Sequence, residues 1–450
     1  MANLTDERKE KLLSELVRYR YEKENNIKAL EILSKNIESL KEEEGINDKI
    51  AYQSERIKKE NSFLNKINDR INRENKDITY DNIRDVVGVR LVCLNLTDAK
   101  EVLEKIKNSK SFEIEKVKDY IMEPKESGYM GYHVIVKVPI VKPNSIKYVY
   151  AEIQIRTIFM DIFAREEHKL SYKGNATEKD KTELKKLSDE LYFYDKALDE
   201  LIRKEIIDKE EQNEEEIEKV KEEYKKIGHL YQIINNKFDE DLNSFIKNYD
   251  SKGDILHVTS RIKSLSSINR KLKRKKLSCN ANNIITNIHD IIGFKVVCID
   301  EKVALDFIKK FKEEVKEMDN VVISTESDRF TEPKESGYRG YKINLTFNIP
   351  VVDNVQPIIM EVIVRTMVMD AWALHDDKYF NSNTSNTTLE KQMRGLSYAL
   401  RDVEEKLQRI KNNIKDYKPE DLVSEVELYN EEKMKSNNKT LTLKNSEIKK

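Results

Sequence analysis

Glu123-Pro-Lys-Glu-Ser-Gly-Tyr129 recurs without a change as Glu332-Pro-Lys-Glu-Ser-Gly-Tyr338, an offset of 209 residues (332 − 123). Identity over such a run marks an internal duplication, and its neighbours extend it. Upstream, Arg56-x-Lys58 matches Arg261-x-Lys263 and Asp85-x-x-Gly88 matches Asp290-x-x-Gly293, both at an offset of 205. Downstream, Ala151-Glu-Ile-Gln-Ile-Arg-Thr157 matches Met360-Glu-Val-Ile-Val-Arg-Thr366, again at 209. A small length change therefore falls in the segment carrying Lys107 to Lys118. A repeat of this length is a duplicated domain rather than a solenoid.

Each copy contains short runs rich in Val, Ile and Tyr that predict strands: Val86–Asn95, Tyr132–Val141 and Val149–Thr157 in the first, Ile291–Asp300, Tyr341–Val352 and Ile358–Thr366 in the second. Helices are expected at 98–108 and 301–316. Apolar residues at helical spacing, Leu184, Leu187, Leu191, Leu198 and Leu201, and again Leu389, Met393, Leu396, Leu400, Val403, Leu407 and Ile410, close each copy with a long amphipathic helix. Lys/Glu-rich helical stretches precede the copies at about 7–45 and 212–250. From about Lys418 the periodicity fades, and 418–450 is expected to be a disordered tail. The fold class that follows is α+β, a mixed α/β domain present twice.

Composition narrows the functional classes. The 450 residues suggest about three units of ordinary size or two larger ones. Lys+Arg 82 against Asp+Glu 83 leaves a net charge of −1, so no global positive field exists to hold a polyanion, and any nucleic-acid contact must be local. Three scattered cysteines make neither a disulfide framework nor a paired zinc motif and suit a reducing compartment, with cytoplasm the expectation. Cys93 and Cys298 lie on the strand face opposite Arg90 and Lys295 and are expected in the core. No apolar run approaches the ~20 residues that span a bilayer, so membrane spanning is disfavoured. Walker-type, Gly-x-Gly-x-x-Gly and His-Glu-x-x-His motifs are absent from the sequence.

The repeated polar residues carry the chemistry. In Glu152-Ile-Gln-Ile-Arg156 the strand period puts Glu152, Gln154 and Arg156 on one face and the isoleucines on the other. That polar line reads either as a solvated strand face or as a site. Glu361 and Arg365 persist in the second copy, while Ile363 replaces the glutamine. Arg56, Lys58 and Lys66, with Arg261, Lys263 and Lys271, could converge on phosphate from a strand-like start followed by a helix, or form an ordinary basic surface. The second run, Ser260 to Lys276, is the denser in cations. Asp85 and Asp290 precede a glycine that opens a strand, where a carboxylate can hold Mg²⁺ beside a phosphate or merely cap a turn. Lys125-Glu-Ser-Gly-Tyr129 reads as a tight turn presenting a ring suited to stacking on a base.

Taken in order, Arg-x-Lys, Asp-x-x-Gly-x-Arg, Pro-Lys-x-x-Gly-Tyr and Glu-Ile-Gln-Ile-Arg-Thr resemble the synthetase domain of the RelA/SpoT-type alarmone synthetases, particularly the small ones. The resemblance covers about 46–175 and 251–380, with a helical segment at 1–45, a connector at 176–250 and a C-terminal helix at 381–417. It implies two tandem nucleotidyltransferase-like domains, each a small mixed sheet flanked by long helices. It also implies transfer of the β,γ-pyrophosphoryl group of ATP to the 3′-hydroxyl of GDP or GTP, with Mg²⁺ as cofactor and (p)ppGpp as product. Carried onto this chain, Arg56 and Arg90 would sandwich adenine, Lys58 and Lys66 would hold the ATP phosphates, and Asp85 would bind Mg²⁺. Glu152 would activate the hydroxyl or share the metal. Tyr129 would stack on guanine, with Lys125, Gln154 and His133 also contacting the acceptor.

The second-copy counterparts are Arg261, Lys263, Lys271, Asp290, Lys334, Tyr338 and Glu361. There Lys295 replaces the arginine, Ile363 the glutamine and Lys342 the histidine, which assigns catalysis to the first copy. Glu167-His168 through Lys173 also keeps the family pattern, whereas Leu374-His375 to Lys378 has drifted. Two alternatives stand beside this reading. One is a toxin-like transferase acting on tRNA 3′ ends or adenine nucleotides; the other is a non-catalytic nucleotide-sensing tandem. The duplication also resembles a covalent pseudo-dimer.

Overall fold

Each of the six expected strands forms, and each copy adds two more that apolar alternation does not reveal. The structure, a computed structural model, describes residues 4–74, 78–172, 177–205, 214–250, 254–351, 354–376, 387–413 and 421–430. It divides into two units, Met1–Asp199 with Ile410–Lys450, and Glu200–Arg409.

In the first copy the order is α1 (Asp6–Tyr21), α2 (Lys23–Glu43), β1 (Ile50–Ile57), α3 (Glu60–Glu74), β2 (Val87–Cys93), α4 (Leu96–Asn108), β3 (Glu113–Asp119), β4 (Tyr132–Lys142), β5 (Ser145–Thr157), α5 (Ile158–Tyr172) and α6 (Glu178–Glu205). The second follows with α7 (Glu214–Lys225), α8 (Gly228–Tyr249), β6 (Ile255–Ile262), α9 (Leu265–Arg274), α10 (Ala281–Asn287), β7 (Ile292–Cys298), α11 (Glu301–Glu317), β8 (Val321–Asp328), β9 (Tyr341–Val351), β10 (Asn354–Thr366), α12 (Met367–His375) and α13 (Thr387–Asn413). The sheets run β1-β2-β5-β4-β3 and β6-β7-β10-β9-β8. Only β2 with β5, and β7 with β10, pair in parallel; the other neighbours are antiparallel.

Register decides which side chains meet. β1, β2 and β5 align Arg56, Gly88 and Glu152 in one row, and β2, β5 and β4 align Arg90, Gln154 and His133 in the next. The other face of the sheet packs on α2 and α4, where Leu33, Ile37, Val102 and Ile106 are buried with Val89, Leu91, Ile153 and Ile155. Each such side chain contributes about 1.5–3 kcal/mol by leaving water. The second copy fills the same layer with larger groups, since Phe238, Phe294, Phe307 and Phe311 stand where the first has Leu33, Val89, Val102 and Ile106. The length change is a helical turn: α11 has 17 residues where α4 has 13. Cys93 and Cys298 are buried in these cores.

The tail expectation needs one correction. Residues 422–430 form a helix, α14, with Leu422 and Val426 fully buried against Leu12, Leu16, Phe63 and Ile67 of α1 and α3. Asp421 caps the junction, accepting from Asn61 Nδ2 at 2.7 Å and from Ser424. Residues 431–450 lie outside the described set. Among the described residues no helix is long and apolar enough to cross a membrane.

Candidate active site

The polar face of β5 is not a solvated strand face. Glu152, Gln154 and Arg156 are 7%, 7% and 4% exposed, so each must be satisfied within the protein. His133 Nδ1 lies 2.7 Å from Glu152 Oε1, Gln154 Nε2 donates to Glu152 Oε2 at 2.6 Å, and His133 Nε2 is 2.5 Å from the Tyr129 hydroxyl. Arg156 donates to that hydroxyl from Nε and Nη2, at 3.1 and 2.7 Å. One proton assignment satisfies the chain of contacts: Arg156 donates to Tyr129, the hydroxyl donates to His133 Nε2, and His133 Nδ1–H donates to Glu152. Burial holds the His133 pKa below its ordinary value despite Glu152, which agrees with a neutral ring. Burial pushes the Glu152 carboxyl up, but the bonds from His133 and Gln154 outweigh it and hold the group well below the usual range. Glu152 is thus an ionised carboxylate in a dry setting.

The turn that carries Tyr129 is built by glycine. Gly128 has φ +89°, and a Cβ there would meet Ser188 Cβ at 2.9 Å. Ser188 of α6 donates to Gly128 O at 2.6 Å, so the trailing helix clasps the loop. The ring is not presented to solvent as expected. Tyr129 is 6% exposed, Lys125 Nζ sits 4.5 Å from its centroid, and the Arg156 guanidinium sits at 5.0 Å.

On the other side of Glu152, Lys58 and Lys66 meet Asp85 Oδ2 at 3.2 and 2.6 Å. Burial raises the Asp85 pKa, but the two ammonium groups prevail and leave it lowered. Its Oδ1 is buried and accepts no hydrogen bond. Arg56 lies across Gly88, with Cγ and Nε both 3.7 Å from where a Cβ would stand. Arg90 does not stand free beside it, because Nη1 pairs with Asp161 at 3.2 Å and Nε faces Gln154 at 3.4 Å. Asp161, fully buried on α5, also binds Arg156 at 2.9 Å, Arg165 at 2.6 Å and the Tyr52 hydroxyl at 2.6 Å. The first-copy residues expected in the site thus come from β1, β2, β4 and β5 of one sheet, from α3 and from the loops that follow β1, precede β2 and precede β4.

In the second copy Lys263 meets Asp290 Oδ2 at 2.9 Å and Lys271 faces Oδ1 at 2.8 Å as an ion pair. Burial opposes ionisation, but these lysines bring the Asp290 pKa down to about 2. Arg261 lies across Gly293 as Arg56 does across Gly88. Lys342, opposite Ile363 in the β9–β10 register, forms an ion pair with Glu361. Arg365 Nη2 donates to the Tyr338 hydroxyl at 3.1 Å, and Lys334 lies 4.9 Å from that ring. Asp370 takes the place of Asp161 but holds Lys295 at 2.9 Å and Arg365 at 3.1 Å. Ser397 clasps Gly337 O at 2.6 Å as Ser188 clasps Gly128.

Sequence reasoning missed Asp161, Asp370, Ser188 and Ser397. The signal was available, because 161 to 370 and 188 to 397 keep the offset of 209. The side chains from His168 to Lys173, and Lys378, lie outside the described residues. Among the described residues no three His, Cys, Asp or Glu converge, so a metal here would rest on two carboxylates with water and phosphate oxygens, which is how hard Mg²⁺ is commonly held.

Comparison with known proteins finds the region shared by RelA and SpoT proteins twice, at residues 55–177 and 260–384. The chain is similar to GTP pyrophosphokinase YwaC of Bacillus subtilis, 37% identical over 155 residues, 33% of this chain and 72% of that protein. It is also similar to GTP pyrophosphokinase YjbM of the same organism, 34% identical over 180 residues, 39% of this chain and 82% of that protein. Among solved structures, small alarmone synthetase 2 from Bacillus subtilis matches at 30% identity and a TM-score of 0.36, covering 42% of this chain and 97% of that one.

Proposed function

Because the chain belongs to the RelA/SpoT family, with that family's region present twice, we propose that its first copy transfers the β,γ-pyrophosphoryl group of ATP to the 3′-hydroxyl of GTP or GDP, making (p)ppGpp. The observation that carries this reading is the pairing of an ionised, buried Glu152 with a neutral His133 and with Asp85, whose Oδ1 has no hydrogen bond. Mg²⁺ would be held by Asp85 and Glu152, and when bound it supplies charge neutralisation on the transferred phosphate oxygens.

The chain's own groups do the rest. Lys58 and Lys66 already converge on one point and would meet the ATP phosphates there, while Arg56, laid over Gly88, offers a guanidinium plane to adenine. Arg90 completes that sandwich only by turning from Asp161, which keeps Arg156 and Arg165 as partners. For guanine to stack on Tyr129, Lys125 leaves the ring face and meets the acceptor phosphates instead. Glu152 orients the 3′-hydroxyl and accepts its proton as the oxygen–phosphorus bond forms and AMP leaves. Gln154 and His133 fix the carboxylate, so the proton goes to a group that cannot swing away.

The test is mass analysis of product from the full chain with Mg-ATP and GTP, GDP, GMP, ATP or deacylated tRNA. A 3′-pyrophosphorylated guanine nucleotide that falls by about 10³-fold with Glu152→Gln, and stays within about twofold with Glu361→Gln, is expected. Dependence on Glu361, or modification of tRNA alone, would overturn the reading.

A further inference from the structure

The two copies compensate charge differently at the same place. In the first, Lys58 and Lys66 both pair with Asp85 Oδ2, while Glu152 is held by His133 and Gln154. In the second, both oxygens of Asp290 face lysines and Glu361 is paired with Lys342, so three ammonium groups cover two carboxylates. The basic helix agrees: at the offset of 205, α9 carries Arg270 and Arg274 where α3 carries Asn65 and Asp69. Nothing comparable to the neutral histidine remains, since Lys342 stands in its position and Ile363 replaces the amide that fixed the carboxylate.

We infer that the second copy is a non-catalytic receptor for a triphosphate chain, in which the Lys342 ammonium occupies the charge role that a divalent cation fills in the first copy. Glu361 already holds the Lys342 ammonium, so a divalent cation bound to it would meet a like charge that Glu152, held by a ring and an amide, does not present. A triphosphate chain reaching from Lys263 and Lys271 at Asp290 to Lys342 at Glu361 would meet charge-assisted donors at both carboxylates without a bridging metal. Arg261, lying over Gly293, is placed to add a stacking plane for a base, so a nucleoside triphosphate is favoured over inorganic tripolyphosphate. This inference deepens the family reading of the second copy and does not depend on what the first copy synthesises.

Binding of ATP, GTP and inorganic tripolyphosphate to the full chain, measured by calorimetry in EDTA and again in Mg²⁺, tests it without turnover. One equivalent of nucleotide should bind in EDTA. Lys342→Gln should weaken that binding about 10- to 100-fold, the range expected for one lost charge-assisted contact, and Asp85→Asn should leave it unchanged. Lys342→His, which installs the side chain found at 133, should make second-copy binding require Mg²⁺; a thermal melt matching the parent shows that the fold survives. Absence of binding in EDTA, loss of it with Asp85→Asn, or indifference to Lys342→Gln would each overturn the inference. Tripolyphosphate binding as tightly as ATP would overturn its nucleoside part. If no acceptor is ever pyrophosphorylated, the synthetase proposal fails while metal-free binding still stands or falls by itself.

Discussion

The two central strands β5 and β10 carry the same Glu and Arg on the same face of the same sheet, yet their glutamates have different neighbours. Glu152 is fixed by a neutral ring and an amide, Glu361 by an ammonium ion. The same carboxylate thus stands against a neutral ring in one copy and an ammonium in the other, according to the residue two strand positions away. The same lesson holds one layer behind, where Asp161 gathers three arginines and a tyrosine, whereas Asp370 gathers a lysine, one arginine and His257.

The sharpest way to break the comparison is to convert the first site into the second. His133→Lys should place an ammonium on Glu152 and lower product formation by about 10²- to 10³-fold in single-turnover assays. The reverse change in the second copy should create no activity, because Ile363 still leaves the carboxylate unfixed. Retention of full activity by His133→Lys would show that the partner of Glu152 is immaterial.

Stability gives the next largest contrast. Asp161→Asn leaves Arg156, Arg165 and Arg90 without their shared buried carboxylate and should cost about 3–5 kcal/mol in denaturant melts. Asp370→Asn should cost less, about 2 kcal/mol, because two fewer guanidiniums are stranded and Lys295 can turn to water. Equal losses would mean that the arginine cluster adds nothing beyond a single ion pair.

The smallest effect is a pH dependence. Asp195 and Glu404 occupy equivalent places on α6 and α13, but Glu404 has Arg339 at 2.9 Å while Met130 stands where that arginine would be in the first copy. Burial pushes the Asp195 carboxyl well above its ordinary value, opposed by the bond from Thr157 and reinforced by Asp199. A raised carboxyl contributes stability that is present below its unfolded value and is lost as pH rises through its folded value. Glu152 and Asp161, both lowered, act in the opposite sense and lose their contribution only as pH falls below about 4. Above pH 5 the Asp195 slope should therefore be visible. Asp195→Asn should flatten it by up to about 1.4 kcal/mol per pH unit in melts taken from pH 5 upward. Glu404→Gln should flatten it less, since Arg339 opposes the effect of burial on Glu404 and keeps Glu301 as a partner when Glu404 is lost. A parent slope that survives Asp195→Asn would place the titration elsewhere.

Much of this was legible in the residues. The offsets located both copies, the six inner strands and the length change, because β-branched runs and an unchanged turn motif survive divergence. The edge strands were harder. β3 reads Glu-Ile-Glu-Lys-Val-Lys-Asp, a charged run whose side chains are mostly exposed, and an edge strand needs only one apolar face to pair. Asp161 was invisible as one of 83 acidic residues, since burial against three arginines is a property of register and not of local pattern. Lys58, Lys66 and Asp85 stood out by residue type, but the pairing of both lysines with one Asp85 oxygen, where Lys263 and Lys271 divide between the two oxygens of Asp290, needed coordinates.

The helix α14 has a consequence for the order in which the chain acquires its shape. Asn61 meets Asp421 across 360 residues, and Leu422 and Val426 seal the cluster under α3, the helix that carries Lys66. During synthesis the first copy leaves the ribosome long before that seal exists, while the second can close on its own contiguous segment. The domain that is made first is thus finished last, and the helix that carries Lys66 gains a fully packed support only after the second copy has been translated.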